Sequence, residues 1–209
     1  MTTNREFPVH SLETAPAAAR AFVAGSQKAF GFLPSPVARL ASAPAVGGAF
    51  MQLVGAFDRT SLDKLQREVV ILTIARENGC HYCMAMHSAL LAGDPAAAPA
   101  VEALRAGTPL PDERLEALAQ FVRSVLAGRG DVSDQAWARF RAAGYDHAQA
   151  LEVVLGVAAY TLSTYANRLT QAPLDAAFQA FAWPQPDRQV ADADDRRRPH
   201  AGTAPAGPV

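Results

Sequence analysis

The sequence has few cysteines, no excess of charge of either sign and no long apolar run. Its 209 residues include two cysteines, and 19 basic side chains balance 20 acidic ones to a formal net charge of −1. Nucleic-acid-binding proteins normally carry a basic excess or stripe, so a nucleic-acid partner is not expected. The longest apolar run, at 153–162, falls short of the roughly 20 residues that span a bilayer. No membrane association is therefore predicted.

The scarcity of cysteine also excludes a secreted scaffold held by disulfides. Cys80 and Cys83 are three residues apart, and cross-linking so short a loop removes little chain entropy from the unfolded state. Residues 1–10 contain no apolar stretch of the kind found in signal peptides. These two features predict a cytoplasmic protein.

Strand signals are scarce as well, whereas alanine is abundant and apolar residues recur at helical spacing. We therefore predict an all-α fold, with one helical domain over 1–183. The helix at 62–79 has one apolar stripe and is predicted to be amphipathic. The predicted helices are 14–30, 36–42, 44–58, 62–79, 81–92, 96–106, 112–127, 134–143, 147–168 and 173–181.

Residues with special backbone preferences mark the ends of several helices. Thr60 or Ser61 is the predicted N-cap of a helix that begins at Leu62. Gly79 is predicted to end that helix in a left-handed conformation, immediately before Cys80.

The sequence changes character after Trp183. Residues 184–209 hold five of the 15 prolines, a run of charged residues from Asp192 to Arg198 and no aromatic residue. Such a segment buries too little apolar surface to offset its ordering entropy. A disordered tail is predicted over 184–209.

The most informative stretch contains Cys80, Cys83 and His87. The spacing of three places both sulfurs on one helix face, close enough for a disulfide. At a helix N-terminus the backbone N–H groups favour a thiolate, which is the reactive form of cysteine. His87 lies one turn beyond Cys83 and is suitably placed to take a thiol proton. The pattern predicts a redox-active dithiol with its own base.

Two other interpretations remain open. Two cysteines on an apolar helix are often only small buried hydrophobic residues. Alternatively Cys80, Cys83, His87 and His81 bind zinc, although structural zinc sites usually draw ligands from a second, distant segment. We expect no metal and no cofactor.

Together with Glu68, the Cys80-x-x-Cys83-x-x-x-His87 pattern resembles the alkylhydroperoxidase D / carboxymuconolactone decarboxylase family. Three further phrases add to the resemblance, which extends over about 28–176: Gly31 to Arg39, Arg67 to Val70, and Asn167-Arg-Leu followed by Pro173-Leu-Asp175.

The resemblance implies an all-helical fold in which the helix bearing Glu68 folds back antiparallel to the Cys-x-x-Cys helix. It implies thiol-dependent reduction of hydroperoxides, in which Glu68 and His87 relay a proton, Cys83 attacks the peroxide and Cys80 resolves the sulfenic acid. It also implies a homo-oligomer, often a trimer or hexamer. The residue-level alternative is that Glu68 merely pairs with Arg67 or Arg76 on its own helix.

One departure from the family pattern concerns the two residues between the cysteines. The alkylhydroperoxidase D proteins typically carry His directly before the second cysteine, where this chain has Tyr82 and places His81 one position earlier. His81 and Tyr82 are therefore candidates for tuning the thiols, and the thiol or protein reductant is left open. The decarboxylase branch generally lacks the cysteine pair, and a non-enzymatic thiol-binding or zinc-binding regulatory module is a further alternative.

Overall fold

The structure is a computed structural model that describes residues 6–184. This part of the chain contains nine α-helices, two short 3-10 helices and no strand, which confirms the predicted all-α class. No helix in it is long and apolar enough to cross a membrane. The α-helices are α1 Arg20–Phe30, α2 Ser35–Leu40, α3 Pro44–Phe57, α4 Lys64–Glu77, α5 His81–Leu91, α6 Ala98–Ala106, α7 Glu113–Gly128, α8 Asp134–Ala142 and α9 His147–Leu169.

Helix α4 forms the centre of the molecule and packs against α5, α6, α7 and α9. Seven consecutive residues of this helix, 69–75, are buried. The prediction of an amphipathic helix was therefore wrong, because neighbours cover α4 on all sides in this stretch. A helix buried all round can bring a polar side chain such as Glu68 into the protein interior.

The N-terminus of α4 differs from the prediction. Asp63, rather than Thr60 or Ser61, is the N-cap: its side chain accepts from the Gln66 N–H at 2.8 Å, and the Gln66 side chain accepts from the Asp63 N–H at 3.0 Å. The Thr60 hydroxyl donates to Phe57 O, and the Ser61 hydroxyl donates to Glu152. The capping box begins at Asp63 rather than at Thr60, because the Gln66 side chain, three residues after Asp63, supplies the second of the two reciprocal hydrogen bonds.

The turn from α4 to α5 is the predicted glycine stop. Gly79 has a φ of +60°, the N–H of Gly79 donates to Arg76 O at 2.9 Å, and the N–H of Cys80 donates to Ala75 O at 2.8 Å. This pair of bonds is a Schellman motif, which reverses the chain within three residues. Cys80 thereby becomes the N-cap of α5, directly beside the end of α4.

Two predicted helices are shorter in the structure and partly of another type. The prediction at 14–30 covers a 3-10 turn, Ala17–Ala19, followed by α1, and the prediction at 173–181 covers the 3-10 helix Ala176–Phe181. Pro16 and Pro173 precede these turns and lack the N–H of a helix interior. The predicted tail at 184–209 lies, apart from Pro184, outside the described residues.

Candidate active site

The two cysteines lie at the buried start of α5. Cys80 and Cys83 are each 1% exposed, and both are free thiols. The Cys80 sulfur accepts from the backbone N–H of Cys83 at 3.4 Å, so a sulfur atom takes the place that a Ser or Asp oxygen usually holds at an N-cap. The helix N-terminus therefore faces the Cys80 sulfur with its free amide groups, as the sequence predicted.

The environment of Cys80 favours its thiolate. A hydrogen bond from the Cys83 thiol lowers the pKa of the Cys80 thiol to about 7, and donors at Cys83 N–H and Asn167 act in the same direction against the effect of burial. At neutral pH about half of such a thiol is ionised, against a few per cent of an ordinary cysteine.

Cys83 has the opposite tendency. Its hydrogen bond to Cys80, its burial and the negative charge of the Cys80 thiolate raise the pKa of the Cys83 thiol well above the ordinary value. The dithiol thus releases its first proton readily and its second with difficulty, as expected of two interacting acids. Cys83 therefore requires a base if it is to act as a nucleophile.

Glu68 and His87 form a buried pair between α4 and α5. A Glu68 carboxylate oxygen lies 2.8 Å from His87 Nδ1, and the two side chains are 13% and 5% exposed. A carboxylate can only accept, so Nδ1 carries a proton and donates a hydrogen bond to Glu68. In the neutral tautomer with this arrangement, Nε2 keeps its lone pair. Nε2 is buried and has no hydrogen-bond partner in the structure. The imidazole is therefore oriented as a base.

The alternative placement of Glu68 does not occur. Arg67 lies 3.9 Å from Asp58, and Arg76 donates to the carbonyls of Leu104 and Arg105 at the end of α6. Neither arginine pairs with Glu68, whose carboxylate is directed at α5.

Aromatic side chains surround the imidazole. The Tyr160 ring meets the His87 ring edge-on at 5.5 Å and also contacts Phe50 and Phe57. Burial and the nearby Glu68 charge raise the pKa of the Tyr160 phenol, which stays protonated. Phe57 and Met84 are core residues, whereas Phe50, Met51 and Met86 are half-buried. The base lies in an apolar setting.

Helix α9 contributes two polar side chains that were not identified as site residues from the sequence. The Asn167 side-chain amide donates to the Cys83 sulfur at 3.3 Å and to the Cys80 sulfur at 3.8 Å. The Ser163 hydroxyl lies 3.7 Å from the Cys83 sulfur. These residues follow Cys83 by 80 positions or more, and the only signal for them was the Asn167-Arg-Leu phrase in the family resemblance.

Tyr82 points away from the sulfurs into a second polar cluster. Its phenol donates to Asp175 at 2.6 Å, and the backbone N–H and hydroxyl of Ser35 donate to the same carboxylate. Burial and the Asp175 charge raise the pKa of the Tyr82 phenol. His81 is the half-buried first residue of α5. Within residues 6–184, no three His, Cys, Asp or Glu side chains are grouped to hold a metal ion.

A cavity of about 630 Å³ lies elsewhere, between α5, α6 and the end of the described chain. Ser88, Val101, Arg105 and Trp183 are among its lining residues, and neither cysteine, Glu68 nor His87 reaches it. The thiol site is therefore separate from this cavity.

Comparison with solved structures identifies proteins of the same fold. A peroxidase-related protein from Ralstonia eutropha JMP134, described as an alkylhydroperoxidase AhpD core, superposes with a TM-score of 0.72 at 22% identity, covering 87% of this chain and 97% of its own. A peroxidase-related protein from Silicibacter sp. TM1040 gives 0.65 at 18% identity, with 85% and 97% covered. The debrominase Bmp8, in complex with 2,3,4-tribromopyrrole, gives 0.69 at 16% identity, with 87% and 96% covered.

Comparison of sequences identifies the family pattern. None of the curated proteins matches this chain significantly. The carboxymuconolactone decarboxylase family matches residues 44–110, a segment that includes Glu68, both cysteines and His87. The resemblance predicted from the motif is thus confirmed: residues 44–110 match the carboxymuconolactone decarboxylase family, and the chain has the all-helical fold of the alkylhydroperoxidase AhpD core.

Proposed function

We propose that this protein is a thiol-dependent hydroperoxide reductase that cycles Cys80 and Cys83 between dithiol and disulfide. The supporting observation is the oriented His87 imidazole, with Nδ1 on Glu68 and Nε2 unpaired, one helical turn from a buried dithiol. A thiolate nucleophile, a base and a water-poor setting are what cleavage of an O–O bond by cysteine requires.

In the first step His87 accepts the Cys83 proton, and the Cys83 thiolate attacks the outer oxygen of the hydroperoxide. An S–O bond forms and the O–O bond breaks, so that the cysteine becomes a sulfenic acid and the peroxide leaves as an alkoxide. The imidazolium returns its proton to the alkoxide, giving an alcohol. The raised pKa of Cys83 explains why a dedicated base is needed here.

In the second step the Cys80 thiolate attacks the Cys83 sulfenic sulfur. A disulfide forms, and hydroxide leaves as water after taking up a proton. The Cys80 proton leaves with the hydroxide as water, and the Cys83 N–H and Asn167 donors, which lower the pKa of the Cys80 thiol, favour this attack. An external dithiol then returns two electrons and two protons to the pair.

The test is peroxide consumption by the purified protein, with dithiothreitol as the reductant and hydrogen peroxide or cumene hydroperoxide as the oxidant. The double variant Cys80→Ser/Cys83→Ser measures the background reaction of dithiothreitol. We expect Cys83→Ser to match that background. Without reductant, Cys80→Ser should accumulate a sulfenic acid at Cys83 that dimedone labels.

The outcomes separate the alternatives. A dithiol that peroxide leaves reduced would overturn the proposal and favour a decarboxylase or a binding module, neither of which needs to cycle its thiols. A dimedone label at Cys80 in the Cys83→Ser variant, with turnover retained, would reverse the roles of the two cysteines. Adding 2,3,4-tribromopyrrole, the compound bound in the structurally similar debrominase, tests whether the dithiol of this chain can also reduce a carbon–bromine bond.

A further inference from the structure

The end of α9 lies across the turn that presents the cysteines. Asn78, in this turn, donates from its side chain to the Thr164 hydroxyl at 2.9 Å, and Arg168 donates to the Asn78 carbonyl. Asn167 lies between these two anchors and is 7% exposed. The flanking bonds therefore fix the Asn167 side chain over the start of α5.

The hydrogen bonds of the Asn167 amide are unusual for a buried group. Its Nδ2 donates to both sulfurs, at 3.3 Å to Cys83 and 3.8 Å to Cys80. A neutral thiol is a weak acceptor, so two thiols would leave a buried amide poorly satisfied. A thiolate is a strong, charged acceptor. The arrangement is thus matched to a sulfur pair that carries a negative charge.

We propose that Asn167 is the positioning residue that holds negative charge on the Cys80–Cys83 sulfur pair, with Ser163 as a second, weaker donor to Cys83. The charge moves from one sulfur to the other during the cycle proposed above, on which this inference builds. Since the amide reaches both sulfurs, it stabilises the attacking thiolate and then the resolving one without moving. The Ser163 hydroxyl, 3.7 Å from the Cys83 sulfur, stabilises only the attacking thiolate.

Other ionisable groups around the pair are distributed over four elements. Glu68 on α4 and His87 on α5 form the buried relay pair, and Tyr160 on α9 contacts the imidazole. Tyr82 on α5 is bound to Asp175 of the C-terminal segment. None of them is bonded to a sulfur, whereas Asn167 is bonded to both, so replacing Asn167 changes the thiolate contacts directly.

The experiment titrates the thiolates of the reduced protein by their ultraviolet absorbance, which does not depend on peroxide turnover. Asn167→Leu removes the donor at similar volume, and Asn167→Asp replaces it with an anion. We expect the first thiolate titration to move up by about one pH unit in Asn167→Leu and further in Asn167→Asp. The matched control is Tyr165→Leu, which changes an exposed side chain two positions before Asn167 on α9 and leaves the bonds that fix Asn167 in place.

A second readout is the equilibrium of the cysteine pair with glutathione. Loss of a donor to the thiolate destabilises the reduced form, so Asn167→Leu should favour the disulfide by about tenfold. Equal titration midpoints in the wild type, Asn167→Leu and Asn167→Asp would overturn the inference, as would a shift of the same size in Tyr165→Leu. Wild-type protein that has a shifted thiolate but does not consume peroxide would contradict the proposed function alone.

Discussion

The phenol of Tyr82 donates a 2.6 Å hydrogen bond to the carboxylate of Asp175, 93 residues further along the chain. The same carboxylate accepts two bonds from Ser35, and the Tyr82 ring packs edge-on against Phe178. The residue directly before Cys83 thus joins α5 to the start of α2 and to the C-terminal 3-10 helix. Tyr82 acts as an anchor for the start of α5.

The first prediction concerns this anchor. Asp175→Ala leaves three donors without their acceptor and should lower the free energy of unfolding by about 2–4 kcal/mol. Tyr82→Phe loses one bond and should cost about 1–2 kcal/mol. Urea denaturation measures the free energy of unfolding of each variant. Asp175→Asn is the control, because its side chain keeps an acceptor oxygen. An Asp175→Ala protein as stable as the wild type would show that the cluster does not hold the segments together.

The second prediction concerns the proton relay. Glu68→Gln keeps the shape of the side chain but removes the charged acceptor that orients His87. We expect this variant and His87→Ala to reduce peroxide more slowly by roughly 10²–10⁴, the usual contribution of a positioned base. The measurement is the rate per folded molecule, with the melting temperature recorded alongside. A lower melting temperature with an unchanged rate would give Glu68 a structural role only.

The third prediction follows from the acidities of the two thiols. The pKa of Cys80 is about 7 in the folded protein, whereas an ordinary cysteine thiol, as in the unfolded chain, has a pKa of 9.0. Between these values the unfolded state binds more protons, so stability rises with pH. The gain should be on the order of 2 kcal/mol and is lost as pH falls through 7. Above pH 9 the raised pKa of Cys83 makes the folded state hold the extra proton, so stability falls again.

Denaturation of the reduced protein from pH 6 to 10 measures this profile. The disulfide form is the matched control, because it has no thiol to titrate and should lack the rise. Cys80→Ser should lack it as well. A reduced protein whose stability is flat between pH 7 and 9 would mean that Cys80 has an ordinary pKa in the folded state.

The fourth prediction concerns self-association. Four apolar residues on α9 are well exposed and recur at helical spacing along its outer side: Leu151 at 72%, Val154 at 46%, Tyr165 at 60% and Leu169 at 62%. Several large apolar side chains exposed along one side of a helix often mark a protein–protein contact. We propose that this stripe is covered in a homo-oligomer, so light scattering should give a mass that is a multiple of 22.1 kDa.

The control variant lies outside the stripe. Leu151→Glu/Leu169→Glu should lower the measured mass, whereas Val9→Glu, at a residue of similar exposure near the N-terminus, should not. A wild-type mass of one chain at micromolar concentration would contradict the prediction.

Local signals in the sequence were sufficient for the helices. Gly79 can adopt the left-handed conformation that a Schellman motif needs, and the turn at this one residue separates α4 from α5. The N-cap of α4 was misplaced because Thr60, Ser61 and Asp63 are all good caps, and Gln66 decides among them through its side-chain bond.

The active site was predictable only where its residues lie close in sequence. Cys80, Cys83 and His87 share one helix, so their spacing already places them on one face. The positions of Asn167 and Asp175 depend on how α9 and the C-terminal segment pack, and no periodicity in the sequence records this. For the same reason Tyr82 was predicted to tune the thiols, whereas its bond is to a distant carboxylate.

The contact between Asn167 and the sulfurs has a consequence for the order in which the site forms during synthesis. Asn167 follows Cys83 by 84 residues in the sequence, so the ribosome adds both cysteines well before it completes α9. Until α9 packs onto the α4–α5 turn, the thiols lack their shared amide donor. On the proposal above, full stabilisation of the thiolate thus requires the complete tertiary fold, and local opening of α9 in the finished protein would remove this donor.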